Sequence, residues 1–295
     1  MPDKQGPSRL TSPVSLNKLL RQHGLAPRHH LGQNFLVEPE VLKTILAAAD
    51  LSSQDVAIEV GPGLGVLTRV LARSAGEVIA LELDPGLLEL LKQELQDLGN
   101  VHLVQGDALK VDLNALLAEH PPVPPGRSKV VANLPYYITT PFLMRLLEEV
   151  EGWERAVLMV QREVADRLLA PPGNKSYGVL SLAVQYHAQC DLVAAVGRKA
   201  FWPAPEVDSA VVRLTRREQP PVTTFPRLLF AAVRAAFGQR RKTLGNALGA
   251  RFGRERAQAA LQSAGIDAKR RGETLSLEEF ARVAEAIGSD MDAQP

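Results

Sequence analysis

Between residues 56 and 160 the chain alternates short apolar β-type runs with stretches of helical periodicity, and this alternation sets its fold class. Val56-Ala57-Ile58-Glu59-Val60, residues 77–81 and 101–105, the run ending at Asn133 and residues 156–160 read as strands. Helical patterns fill 66–75, 85–98, 112–120 and 140–147 between them, with Pro85 suited to a first helical turn. Strands joined through helices pair in parallel, so both faces of the sheet are covered and the strands are apolar throughout. Two later runs, 192–196 and 210–214, bring the count to seven. The spacing predicts an α/β body with a mostly parallel seven-stranded sheet.

Around this body the pattern changes. Residues 1–15, rich in Pro and Ser, read as a flexible tail, followed by a short helix at 16–23, a loop at 28–36 and a helix at 38–49. Residues 162–169 and 177–189 read as helices, and Phe201-Trp202-Pro203-Ala204-Pro205 as an extended hairpin connection. Past Pro220-Pro221 only helical periodicity remains, at 225–237, 239–248, 254–264 and 277–287, with Ser276 and Glu279 placed as a capping box for the last. The expected organisation is therefore a body at 16–215, a linker at 216–224 and a small all-helical C-terminal domain at 225–295.

Composition narrows the function classes. No apolar run approaches the ~20 residues of a membrane span, and the N-terminus lacks the apolar core of a signal peptide. Cys190 is the single cysteine, and the histidines are scattered or adjacent (His29-His30), so the expectation is a soluble cytoplasmic protein with no metal. A net charge of +1 conceals an asymmetry: residues 1–215 hold 20 Lys/Arg against 24 Asp/Glu, residues 216–295 hold 14 against 9. The N-terminal segment adds Lys4, Arg9, Lys18, Arg21 and Arg28. Basic zones flanking an acidic body suit a polyanionic partner.

The strand ends carry the chemistry. Gly61-Pro62-Gly63-Leu64-Gly65 directly after a strand lets backbone approach a ligand where a Cβ would clash. About 20 residues on, Glu82 closes the next strand and is placed to accept from two ribose hydroxyls. A dinucleotide site would place a third glycine at position 66, where this chain has Val66, and a pyrophosphate favours positive charge. The strand ends here are Glu59, Glu82 and Asp107. They suit a cationic nucleoside without phosphates, such as S-adenosylmethionine, with Asp107 accepting from its adenine amine.

Asn133-Leu134-Pro135-Tyr136 ends the fourth strand. The Asn133 side-chain carbonyl and the Leu134 backbone carbonyl can each accept one N–H of an exocyclic amine. Pro135 stiffens the loop and Tyr136 offers a π-face. Phe201 reads two ways, as a second face for the base or as a core residue capping the hairpin connection; in the first, the constellation fits a planar base extracted from its neighbours.

Together, these motifs resemble the rRNA adenine N6,N6-dimethyltransferase family, and within it the bacterial small-subunit enzymes whose loss gives kasugamycin resistance. The matching residues are 31–36 (Leu-Gly-Gln-Asn-Phe-Leu), 59–65, 82–84, 106–108, 133–136, 201–210 and 237–244, spread over about 19–287 in the family's order. The resemblance implies a Rossmann-like S-adenosylmethionine-dependent fold and cofactor contacts at Asn34, Leu36, Gly61, Gly63, Glu82, Asp107, Ala108 and Asn133. It places catalysis on Asn133, Leu134, Pro135, Tyr136 and Phe201. It implies RNA contacts at Arg28 in the N-terminal segment and at Arg240, Arg241 and Lys242 on a helix opened by Gln239, and a monomer acting on two adjacent adenosines near the 3′ end of 16S rRNA. Two departures touch the RNA side: His29-His30 stand where the family often has Lys or Arg, and Glu206 where it tends to be basic. Leu134 and the 201–210 motif separate the chain from the large-subunit resistance dimethylases. The complete acidic site separates it from a non-catalytic assembly factor.

Overall fold

Strands apolar on both faces need helices on both faces, and the chain supplies them in alternation. The computed structural model describes residues 12–28 and 32–292, with side chains to residue 288. Helix α1 (Pro13–Gln22), strand β1 (Phe35–Leu36) and helix α2 (Pro39–Ala49) precede the sheet. The alternating part runs β2 (Val56–Val60), α3 (Val66–Ala72), β3 (Glu77–Glu82), α4 (Pro85–Glu94), β4 (Val101–Gln105) and α5 (Leu113–Glu119). It continues with β5 (Ser128–Asn133), α6 (Thr139–Glu148), β6 (Trp153–Gln161), α7 (Arg162–Leu169), α8 (Val179–His187), β7 (Ala188–Val196), β8 (Phe201–Trp202) and β9 (Ser209–Arg216). Four helices follow: α9 (Pro226–Gly238), α10 (Leu244–Phe252), α11 (Arg254–Ser263) and α12 (Leu277–Asp292).

The chain divides into two units, one of Met1–Ala165 with Cys190–Arg216, the other of Asp166–Gln189 with Arg217–Pro295. In the first, seven strands order as β4-β3-β2-β5-β6-β9-β7. β2 pairs in parallel with β3 and β5, β3 with β4 and β5 with β6, while β9 runs antiparallel to β6. The chain moves outward from β2 to β4 and then returns to β5, so the crevice beside β2 is the topological switch point. All five residues of β2 are buried, as a strand covered on both faces requires. Phe142 and Trp153 are fully buried, each contributing roughly 1.5–3 kcal/mol by area removed from water. The Trp153 indole N–H is satisfied by the Leu146 carbonyl at 3.0 Å. At the amino-terminal end of the sheet the buried Asp55 carboxylate accepts from the Ser52 and Arg127 N–H groups and pairs with buried Lys129 at 3.0 Å.

Four sequence expectations differ from this architecture. Residues 166–189, assigned by periodicity to the body, group with the helical unit. Their aromatic residues find partners there: the Tyr177 hydroxyl donates to the Leu275 carbonyl at 2.9 Å, and Tyr177 and Tyr186 pack edge-on against Phe237 and Phe230. Residues 28–36 are not loop throughout, because Phe35–Leu36 pairs antiparallel with Phe201–Trp202 in a separate two-stranded ladder. The helix expected over 239–248 begins only at Leu244. Gln239 to Lys242 form a turn, and the Leu244 and Gly245 N–H groups bond the Arg270 and Ala268 carbonyls. Helix α1 starts at Pro13, inside the stretch read as tail, with proline in the first turn where its missing N–H costs nothing. The capping box forms as its spacing requires, Ser276 N–H to Glu279 Oε2 at 2.9 Å and Glu279 N–H to Ser276 Oγ at 3.2 Å.

Candidate functional site

The carboxyl ends of β2, β3, β4 and β5 open together into one cavity. After β2 the chain turns through Gly61 and Gly63 in left-handed conformations, φ 69° and 60°. A Cβ on Gly63 would stand 3.1 Å from the Phe35 ring, and one on Gly61 3.4 Å from Pro135 Cδ. Glycine is thus required twice over, for conformation and for approach. The loop is held from β3: Gly63 N–H donates to Glu82 Oε2 at 3.3 Å, and Asp84 N–H to Glu82 Oε1 at 2.8 Å. These bonds take two of about four acceptor positions on the carboxylate and leave the others for a ligand's hydroxyls.

Asp107 ends β4. Its Oδ1 accepts from the Leu109 N–H at 2.9 Å, while Oδ2 has only the exposed Lys110 at 3.6 Å. Asn133 ends β5, and its Nδ2 donates to the Asn34 carbonyl at 3.0 Å. A carbonyl can only accept, so this contact fixes the amide's orientation and leaves Asn133 Oδ1 as the unclaimed acceptor. Asn34 is braced in turn by its own side chain, which donates to the Gly32 carbonyl at 3.2 Å. The Tyr136 hydroxyl is tied to Ser209 Oγ at 2.8 Å, and burial raises its pKa, so the phenol is neutral and its ring held.

The cavity is acidic. Glu59, Glu82 and Asp107 line it, and among the described residues no Lys or Arg does. Glu59, 1% exposed, is the deepest. Burial pushes its carboxyl up to about 8, partly offset by the nearby Thr68 hydroxyl and reinforced by Glu82. Neither Glu59 Oε2 nor Thr68 Oγ1 completes a hydrogen bond, so Thr68 acts here as a weak dipole. Burial also raises Glu82, opposed by the bonds from the Asp84 and Gly63 N–H groups.

Of the residues singled out from sequence, Asn34, Leu36, Gly61, Gly63, Glu82, Asp107, Ala108, Asn133, Leu134, Pro135 and Tyr136 all line this cavity. Phe201 does not. It is buried in the core beside its ladder partner Leu36, and the neighbouring Val37 N–H to Ala200 carbonyl bond holds that strand in place. Arg28 points its half-exposed guanidinium at the buried Asp84, Nη1 to Oδ2 at 3.1 Å, instead of into solvent. Gln33 reaches the same oxygen at 3.3 Å and accepts from the Arg28 N–H at 2.8 Å. This strap, and the buried state of Glu59, were not legible; Asp84 two residues after Glu82 was the available signal. Arg240, Arg241 and Lys242 lie in the other unit. His29, His30 and Leu31 lie outside the described residues.

A parallel sheet whose strand ends build an acidic cavity behind a glycine loop defines the class of S-adenosylmethionine-dependent methyltransferases, and the residues fit that cofactor. The glycines leave room for its backbone-close approach, and the carboxylates match its sulfonium and hydroxyls. The chain belongs to the ribosomal RNA adenine dimethylase family, whose model matches residues 24–288. It is 48% identical over 286 residues to the ribosomal RNA small subunit methyltransferase A of Pelotomaculum thermopropionicum, covering 94% of this chain and 97% of that one. The protein of the same name from Moorella thermoacetica is 50% identical over 274 residues, covering 91% and 95%. A dimethyladenosine transferase structure from Plasmodium falciparum shares the fold, with a TM-score of 0.72 at 24% identity over 87% of this chain and 98% of that one.

One consequence concerns Glu82. Glu82→Ala removes the acceptor of two loop N–H groups and of the hydroxyls a bound ribose would present, and is expected to weaken cofactor binding by ~1–3 kcal/mol. Isothermal calorimetry with S-adenosylmethionine and no RNA measures this. Equal affinities for variant and wild type would remove Glu82 from the site.

Proposed function

We propose that this chain transfers methyl groups from S-adenosylmethionine to the N6 amines of two adjacent adenosines in a hairpin loop near the 3′ end of 16S rRNA. It does so as a monomer acting on the small ribosomal subunit or its precursor in the cytoplasm. The observation that carries the reading is the Asn133 amide, with its N–H side locked to the Asn34 carbonyl and its carbonyl side turned to a cavity holding three carboxyls and no base. No helix among the described residues is long and apolar enough to cross a membrane.

The cofactor supplies an electrophilic methyl group on a sulfonium. The N6 amine of adenine is a weak nucleophile because its lone pair is delocalised into the ring. Asn133 Oδ1 and the Leu134 carbonyl each accept one N–H, which favours a pyramidal nitrogen and aims its lone pair. Pro135 sets the loop between them, and Tyr136, fixed through Ser209, presents a ring face to the base. A monomethylated amine retains one N–H, so one acceptor still orients it for the second transfer. Loop RNA lowers the cost of unstacking the base. Phe201, buried in β8, serves in this reading as the support of the 35–36 ladder beside the site.

The helical unit carries the RNA contacts. Its turn before α10 presents Arg241 and Lys242 exposed, while Arg240 is engaged within the unit by the Lys175 carbonyl at 2.9 Å. Arg241→Ala with Lys242→Ala is therefore expected to weaken RNA binding about equally across sequences. The salt slope of log K should fall by about 0.7–0.9 for each phosphate left without its cation. Filter binding at several salt concentrations measures it, and an unchanged slope would place the RNA surface elsewhere. For the reaction itself, mass spectrometry of rRNA from cells with and without the protein is decisive. Two N6,N6-dimethyladenosines should vanish from 16S rRNA, and a loss confined to 23S rRNA would overturn the reading.

A further inference from the structure

Outside the cofactor cavity, three potential metal ligands converge from three separate segments of the first unit. Glu77 opens β3, His102 is the second residue of β4 and His120 caps the end of α5. One carboxylate oxygen, Glu77 Oε2, lies 2.8 Å from His120 Nδ1 and 3.3 Å from His102 Nε2. All three donor atoms lie within 4.8 Å of one another. The two imidazole rings stand 4.4 Å apart between centroids, and all three residues are half-buried. No Lys or Arg among the described residues pairs with Glu77, whose side-chain partners here are the two imidazoles, with His120 Nδ1 at hydrogen-bond distance.

We propose that Glu77, His102 and His120 bind a single divalent transition-metal ion of the zinc type, with a position left for water. Bond lengths of about 2.0–2.1 Å in a tetrahedral shell place neighbouring donors about 3.4 Å apart. The observed 3.3 Å separation already matches that, and the 2.8 Å one, now a hydrogen bond, opens by about 0.6 Å to admit the ion. A set of two imidazoles and one carboxylate matches the borderline character of zinc and discriminates against calcium and magnesium, which prefer oxygen alone. Two of the ligands sit on adjacent sheet strands, so little ordering is needed to assemble them. The site is far from the chemistry: Glu77 and Glu82 occupy opposite ends of β3, about 16 Å apart at strand rise. The ion's role is to pin the end of α5, and the proline-rich segment that follows it, to the amino-terminal edge of the sheet. From sequence alone the histidines looked scattered, because 24 residues separate Glu77 from His102 and 17 separate His102 from His120.

The full-length protein, stripped with a chelator and titrated with zinc chloride in a calorimeter, is expected to bind one equivalent. His102→Ala, His120→Ala and the isosteric Glu77→Gln should each weaken that binding by about tenfold or more, since each removes one of three donors. Cofactor binding and circular dichroism should stay unchanged in all three, and Glu77→Gln keeps the test valid if a histidine variant fails to fold. A His29→Ala, His30→Ala double variant should bind zinc as wild type does. The proposal is overturned by the absence of saturable one-to-one binding, by binding indifferent to the Glu77→Gln change, or by binding that depends on His29 and His30.

Discussion

Asn133→Ala is expected to lower the methyl-transfer rate by about 10²–10³-fold while leaving RNA affinity within a few-fold of wild type. The side chain makes one bond inside the protein, from Nδ2 to the Asn34 carbonyl, and directs Oδ1 at the cavity. In the proposed reaction that oxygen acts on an amine whose charge and geometry change only during transfer, so its loss is expected to fall on the transition state and spare ground-state binding. Removing one preorganised hydrogen-bonding group that faces developing charge, as in the oxyanion hole of a protease, costs about 2.7–4 kcal/mol, and this scale sets the expected fall in rate. Loss of the internal bond costs roughly a further 1 kcal/mol of stability, too little to unfold the chain. Single-turnover transfer from labelled S-adenosylmethionine, with RNA binding measured in parallel, separates the two effects. Parallel loss of rate and affinity would make Asn133 a binding residue.

The second large effect concerns Glu59 and pH. In an unfolded chain its carboxyl titrates near 4.5, and in the folded protein burial pushes it up to about 8. Below pH 4.5 both states hold the proton and Glu59 adds no pH dependence. Between 4.5 and 8 the unfolded state releases the proton while the folded state retains it, so stability falls as pH rises, by about 1.4 kcal/mol per pH unit where the two states differ fully. Above 8 both are ionised and the loss, on the order of a few kcal/mol, is complete. Glu59→Gln cannot ionise and is expected to remove this slope, making the variant more stable than wild type at pH 8 with little gain at pH 5. Denaturant unfolding at pH 5, 6.5 and 8 tests it, and parallel curves would refute the assignment. The same variant should bind S-adenosylmethionine less well, because a cation entering the cavity favours the ionised carboxylate. A costly buried acid retained against stability is what a site for a cationic ligand requires.

The sheet was legible because its signal is local and redundant. Val56–Val60 and Val101–Gln105 are continuous runs bounded by turn residues, and their observed limits match the pattern. The cavity was legible for a related reason: strand ends in a parallel sheet converge, so Glu82, Asp107 and Asn133 had to meet once their strands were placed. What escaped depends on partners distant in sequence. The two-residue strands β1 and β8 exist only through each other across more than 160 positions, and their pairing puts Phe201 in the core. Helix α10 starts later than its periodicity predicts because its first N–H groups are satisfied by carbonyls at 268 and 270, which leaves Gln239 and the basic residues 240–242 outside the helix. Residues 166–189 have ordinary helical periodicity, and only Phe230, Phe237 and Leu275 reveal which core they join.

The contact between Gly61 and Pro135 gives the two halves of the reaction a common boundary. A side chain added at position 61 would meet that proline ring at 3.4 Å, so the glycine loop and the 133–136 loop are packed as neighbours. Asn34 adds a second tie, since the segment that lines the donor cavity also supplies the carbonyl that orients Asn133. In the proposed reaction, any coupling of donor and nucleobase through this tie is reciprocal: whatever factor the loaded cofactor contributes to holding the adenine, the adenine returns to the cofactor.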